Sequence, residues 1–179
     1  MIKSDQRAGF LLLRNMKENI FISPTKGKMT IEEMADDLLA FMNEEPDYFY
    51  RLVIGTDSKS KKLNGEQKID FVTAVVIHRK GKGGRYFWQK KKVTNIRTLR
   101  DKIYTETLLS IHLAEQVVTQ LTQKFNGERY KLEIHIDVGE VGPTREMIKE
   151  VVGMVNGNGF VAKTKPESYG AFVVADKHT

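Results

Sequence analysis

Arg51-Leu52-Val53-Ile54-Gly55-Thr56-Asp57 is the stretch from which the fold of this 179-residue chain can be read. It is a short apolar run, rich in β-branched residues, that closes on a carboxylate, the pattern of a buried strand. Downstream, a Lys/Asn/Gly turn region leads to Ile69–His78, apolar on both parities. Gly81–Gly84 joins that run to Arg85–Val93 with its aromatics and lysines. The three runs read as an antiparallel meander. A helical pattern from about Asn95 to Lys124 follows, ended by Asn126-Gly127. In Tyr130–Val138, Leu132, Ile134 and Ile136 alternate with Glu133, His135 and Asp137. Gly142-Pro143 opens a predicted helix whose Met147, Ile148, Val151, Val152 and Val155 face inward, and Gly157-Asn158-Gly159 caps it. Phe160–Lys163 is a last short strand, and Pro166 opens a final helix.

Upstream of Arg51 the pattern is helical. Thr30-Ile31-Glu32-Glu33 is a capping box, and Ile31, Met34, Leu38, Leu39 and Met42 follow at helical spacing until Glu45-Pro46. Met1–Lys28 is weakly patterned, and no element is predicted there. The expectation is an N-terminal extension over 1–48 with one amphipathic helix, then a domain over 49–179 in the order βββαβαβα. Strands that follow helical crossovers lie parallel to a neighbour, so the fold class is α/β with a mixed five-stranded sheet and helices on its faces.

Composition narrows the chemistry. The chain has no cysteine, so disulfides and thiolate metal sites are excluded and any metal is held by oxygen or imidazole. No apolar run approaches the roughly 20 residues of a membrane span. Met1–Ile20 lacks the long apolar core and cleavage site of a signal peptide, so the expected location is cytoplasmic, with no membrane partner. The net charge is +6, but Lys59–Lys102 holds 14 basic residues against three acids, a local +11. Such a concentration points to a polyanion, because gathered lysines and arginines gain affinity for phosphates by counterion release. A solvated hairpin surface explains the same composition.

Four carboxylates stand where charge has no structural purpose. Asp57 and Asp137 each end an apolar strand. On a helical wheel of about 100° per residue, Glu106 falls in the stripe of Leu99, Ile103, Ser110, Leu113, Val117 and Leu121, whereas Asp101 and Glu115 lie opposite. Asp176 follows Tyr169, Phe172 and Val173 at helical spacing. Clustered carboxylates repel at low dielectric, so they persist only when cations or shared protons neutralise them. Mg²⁺ or Mn²⁺ suits such oxygen ligands, and two ions can activate an attacking water and stabilise the leaving oxygen of a phosphodiester.

Element order and acid placement together resemble the ribonuclease H-like superfamily. More narrowly, Ile54-Gly55-Thr56-Asp57-Ser58, Leu99-Arg100-Asp101-Lys102-Ile103, His135-Ile136-Asp137-Val138-Gly139, Thr144-Arg145-Glu146 and Lys165-Pro166 resemble its YkuK-type family, from about Phe21 to the end. The resemblance implies metal-dependent phosphodiester chemistry, with Asp57 and Asp137 as central ligands of a metal pair and Glu106 and Asp176 as flanking ones. Asp176 is the weakest of the four, because only Lys177, His178 and Thr179 follow it.

Lys59, Arg100, Arg145, Lys163 and Lys165 flank the expected site and are candidates to hold a nucleic-acid backbone, or to neutralise the acids. Thr144 and Arg145 are expected in the first turn of the helix opened by Pro143, where free NH groups favour phosphate or an ordinary cap. Tyr86, Phe87 and Trp88 are base-stacking candidates or core residues. His78, His112 and His135 read as packed or surface histidines, and His178 as a tail residue. The expected function is a Mg²⁺- or Mn²⁺-dependent nuclease acting on DNA, RNA or a hybrid. The rivals are a non-catalytic nucleic-acid-binding or assembly module on the same fold, and a phosphatase-like or transferase activity on a small phosphorylated substrate.

Overall fold

A computed structural model describes residues 19–63, 66–93, 96–125, 127, 129–168 and 170–179, with the backbone alone at 61–63, 66–68, 170 and 172. Seven strands form one sheet: β1 (Phe21–Ser23), β2 (Gly27–Met29), β3 (Tyr50–Leu63), β4 (Glu66–Arg79), β5 (Gly84–Val93), β6 (Tyr130–His135) and β7 (Val161–Lys163). Their spatial order is β2-β1-β5-β4-β3-β6-β7. Among the described residues four helices accompany them: α1 (Ile31–Glu44), α2 (Leu99–Lys124), α3 (Ile148–Gly157) and α4 (Gly170–His178). Hairpin connections make β3, β4 and β5 antiparallel, while β6 pairs parallel to β3, and β7 parallel to β6, after helical crossovers. The sheet is therefore mixed, as expected, but it holds seven strands rather than five.

The two extra strands form a hairpin turned at Gly27, whose φ of +76° suits a residue without a side chain. Phe21 and Met29 enter the main core, and Ile22 pairs with Trp88 on β5. Three-residue strands are too short to register a period of two, which is why no element was expected there. Residues 1–18, Asn126 and Tyr169, and the side chain of Phe172, lie outside what is described.

The main core lies under α1, α2 and α3. Leu52, Ile54, Val75, Ile77, Phe87, Ile134 and Ile136 pack from the sheet against Met34, Leu38, Leu113, Val117, Leu121, Val151 and Val155. α4 covers the opposite face, where Ala171 and Ala175 meet Val53, Val72 and Ala74. Caps fix two of the helix starts. Thr30 and Glu33 form the capping box of α1, and Thr98 and Asp101 form that of α2, which begins at Leu99; Asn95, where the helix was expected to start, lies outside the described residues. The buried Tyr50 hydroxyl donates to the Phe41 and Glu45 carbonyls and so ties the end of α1 to the first residue of β3.

Three local expectations change. β3 does not stop at Asp57 but runs on to Leu63, paired throughout with β4. Its second half is polar on both parities from Ser58 to Lys62, so it carries no hydrophobic alternation and takes its register from its partner. Pro143 does not open an α-helix: Arg145–Met147 form a 3₁₀ turn after Gly142 (φ +99°), and α3 begins at Ile148. Pro166 lies in a turn in which Glu167 and Ser168 NH groups donate to the Thr164 carbonyl, and α4 begins later, at Gly170. Among the described residues, no helix is long and apolar enough to cross a membrane.

Candidate functional site

The site forms where β3 outruns β6. Their parallel pairing ends at Gly55 and His135, so Asp137, expected to end its strand, lies two residues past β6, near enough for its charge to act on Asp57. Asp57 remains paired on its other side, opposite Val72 of β4. Alternation then separates the two faces of β3. Val53, Gly55 and Asp57 share the α4 face, while Thr56 and Ser58 point at α2. Thr56 Oγ1 lies 2.8 Å from Ser110 Oγ and 2.9 Å from Thr73 Oγ1, and Ser58 Oγ donates to Glu106 Oε1 at 2.7 Å.

Asp57 is the electrostatic centre. Burial pushes its carboxyl above the ordinary aspartate range, the Ser58 backbone NH and Lys102 pull it back, and Asp176 and Asp137 push it further up. Glu106, only 3% exposed, is pushed up to about 8, again first by burial. The Ser58 hydroxyl and Lys102 oppose that shift, and Asp57 and Asp137 add to it. Asp137 and Asp176 thus act on Asp57, and Asp57 and Asp137 act on Glu106. Asp176 differs from the others in being exposed. The buried side of α4 is Ala171 and Ala175, and Val173 is 62% exposed, so the apolar face expected around Asp176 is not the face that packs.

All the donors here are carboxylate and hydroxyl oxygens, the set that suits a hard divalent cation, and the buried repulsion between Asp57 and Glu106 is what such a cation relieves. The fit lies in this chemistry and not in convergence: among the described residues no three His, Asp or Glu side chains are gathered closely enough to hold a metal ion. Lysines stand beside the acids instead. Lys165 Nζ is 2.5 Å from Asp137 Oδ1, and Lys102 Nζ is 3.7 Å from Glu106 Oε1.

The other candidates divide. Lys59 is exposed on the same face as Asp57, two residues along β3. Arg100 is committed to Glu150 and to the Tyr104 hydroxyl (3.0 Å), bridging α2 and α3. Arg145 is exposed in the 3₁₀ turn, and Thr144 Oγ1 accepts the Gly139 NH at 3.3 Å in place of a helix cap. Lys163 pairs with Glu167 at 2.5 Å. Phe87 is core, and Trp88 is stacked at 4.3 Å on His178, which is therefore a packed residue and not a loose tail. His78 is exposed, and His112 is half-buried beside Glu115.

Ser58 and Lys102 were missed by sequence reasoning, although Lys102 stands one helical turn before Glu106, a spacing that pairs side chains on a helix surface. A third omission is Glu133, 3% exposed on β6, four residues before Asp137. It is ringed by Lys131 (3.4 Å), His135 (3.6 Å) and Arg51 (3.7 Å). Burial lowers the His135 pKa, with Glu133 opposing. The alternation of Glu133, His135 and Asp137 carried that signal, but a charged residue flanked by basic ones resembles an ordinary exposed strand face.

A family model described as "Ribonuclease H-like" matches residues 33–179. The chain is similar to the "Uncharacterized protein YkuK" of Bacillus subtilis (strain 168), with 34% identity over 170 residues, 89% of this chain and 96% of the relative. No solved structure gives a significant match.

Proposed function

The chain belongs to the ribonuclease H-like family, in company with the YkuK protein, and from that premise we propose that it is a divalent-metal-dependent nuclease hydrolysing phosphodiester bonds of nucleic acid. The observation that carries this reading is the burial of two carboxyl groups, Asp57 (9% exposed) and Glu106 (3% exposed), in a neighbourhood where the charges of Asp137 and Asp176 act on Asp57 and those of Asp57 and Asp137 on Glu106. Burying repelling carboxylates costs stability, and a purely structural role leaves that cost without a return.

Asp57 and Asp137 would hold the Mg²⁺ or Mn²⁺, with Glu106 and Asp176 alongside. When bound, such ions activate water and neutralise charge on the reacting phosphate. The chain itself would do the rest. Ser58 would hold the Glu106 side chain in place, β3 would present Asp57, the segment after β6 would present Asp137, and α4 would bring Asp176 to the Asp57 face. Lys59, Lys90 and Lys92 are exposed on the face of the sheet that bears Asp57 and supply positive charge for a backbone. The test is cleavage of DNA, RNA and hybrid substrates with Mn²⁺ by the wild type, Asp57→Asn and Asp137→Asn. Activity in the wild type alone supports the reading; none anywhere, or equal cleavage by all three, removes it.

A second reading, a nucleic-acid-binding or assembly module without turnover, is favoured by one specific fact. The acids are already partnered by Ser58, Lys102 and Lys165. It predicts salt-sensitive binding with no cleavage in the same assay.

A further inference from the structure

Lys165 reaches the acids from the segment after β7, on a backbone that is firmly held. Its NH donates to the Val138 carbonyl at 2.9 Å. Its side chain lies against Gly139, where an added Cβ would come within 3.3 Å of Lys165 Cβ. From this anchored base the ammonium extends to Asp137 Oδ1, yet 54% of the side chain stays open to solvent. Lys102 attends Glu106 in the same way from inside α2, 29% exposed and at the longer distance of 3.7 Å. Two flexible ammonium groups therefore accompany two carboxylates of a set in which no three converge.

Resting on the metal-dependent reading of the site, we propose that Lys165 is an exchangeable counter-cation: it holds Asp137 until a divalent cation takes that carboxylate, and it then turns to the phosphate backbone of the nucleic acid. The physics favours exchange. A half-exposed ion pair is weak, so a divalent ion that binds several carboxylates at once displaces it. An ammonium on a four-carbon stem is a point charge that swings at small cost, whereas a guanidinium fork is committed to its geometry. Once Asp137 is occupied, the phosphates of a bound nucleic acid are anions to which the ammonium can turn. Asp137 and the substrate thus share one lysine, which couples metal loading to substrate binding.

Calorimetric titration of the full chain with Mn²⁺, and a separate titration with a labelled oligonucleotide in Mn²⁺ buffer, test the proposal. Lys165→Gln is expected to bind Mn²⁺ about fivefold more tightly and the oligonucleotide about fivefold more weakly, the equivalent of one exposed ion pair in each case. Opposite movement of the two affinities separates this role from a loss of structure, which weakens both. Lys165→Arg keeps the charge, so its Mn²⁺ affinity is expected not to rise above that of the wild type. Unchanged or weaker Mn²⁺ binding in Lys165→Gln, beside intact binding in the wild type, overturns the proposal and leaves the reading of the site standing. Failure of the wild type to bind Mn²⁺ any better than Asp57→Asn overturns both.

Discussion

Glu106 is held neutral by its surroundings far above the pH at which an exposed glutamate ionises. Its pKa rises from 4.5 to about 8 on folding, so the folded chain retains a proton that the unfolded chain has lost. The stabilisation this gives is fully present below 4.5 and fades as pH rises through about 8. Glu106→Gln keeps an oxygen for the Ser58 hydroxyl and removes the titration. In chelator, the variant is expected to unfold less easily above pH 8, by roughly 1–4 kcal/mol, and to match the wild type near pH 4.5. Thermal melts across that range check it, and parallel stability curves contradict it. Glu106 was legible from sequence because a long helix has a strict period, which isolates one acid in an apolar stripe from Asp101, which caps Thr98, and Glu115. Ser58 was not legible, because a serine in a strand carries no sign of its partner until the packing of α2 is known.

Gly55 sets the distance between β3 and α4. A Cβ added there would lie 2.9 Å from Ala171 Cβ and 3.0 Å from the His135 carbonyl oxygen. Gly55→Ala is therefore expected to push α4 outward and to cost about 1–3 kcal/mol of stability by overpacking. Because α4 carries Asp176, the same variant is expected to lose activity more steeply than stability, measured as cleavage at a temperature where it remains folded. Undiminished cleavage with normal stability contradicts the close packing. Trp88→Ala is expected to loosen the same helix from its other end by removing the stack on His178. Faster hydrogen exchange confined to α4 would show it, and exchange unchanged in α4 would contradict it. At this scale the sequence was uneven. The periodic elements, α2 and the strands around Val53, Val75 and Ile134, announced themselves. The β1–β2 hairpin, the polar half of β3 and the 3₁₀ turn at Arg145 did not, since each is defined by pairing or backbone geometry and not by hydrophobic pattern.

Charge is distributed so that one sheet face combines Asp57 and Asp70 with exposed lysines, while Glu106 approaches from the other. Asp70 lies between Lys59 on β3 and Lys92 on β5, with Lys90 Nζ 3.7 Å away, so one acid meets three lysines there. Binding of an oligonucleotide is expected to weaken linearly in log–log salt plots, and Lys59→Ala or Lys92→Ala to reduce the slope by about one and to weaken all sequences alike. Sequence-dependent losses contradict a backbone-holding role. The basic run was visible in composition, but which lysines share the face of Asp57 became clear only from the continuous β3–β4–β5 register. Anomalous scattering from crystals grown with Mn²⁺ tests whether the four acids form a divalent-metal site. Density is expected between Asp57 and Asp137 at ligand distances of about 2.0–2.2 Å, with Lys165 withdrawn from Asp137. Density elsewhere, or acids still apart with Lys165 in place at saturating Mn²⁺, would contradict it.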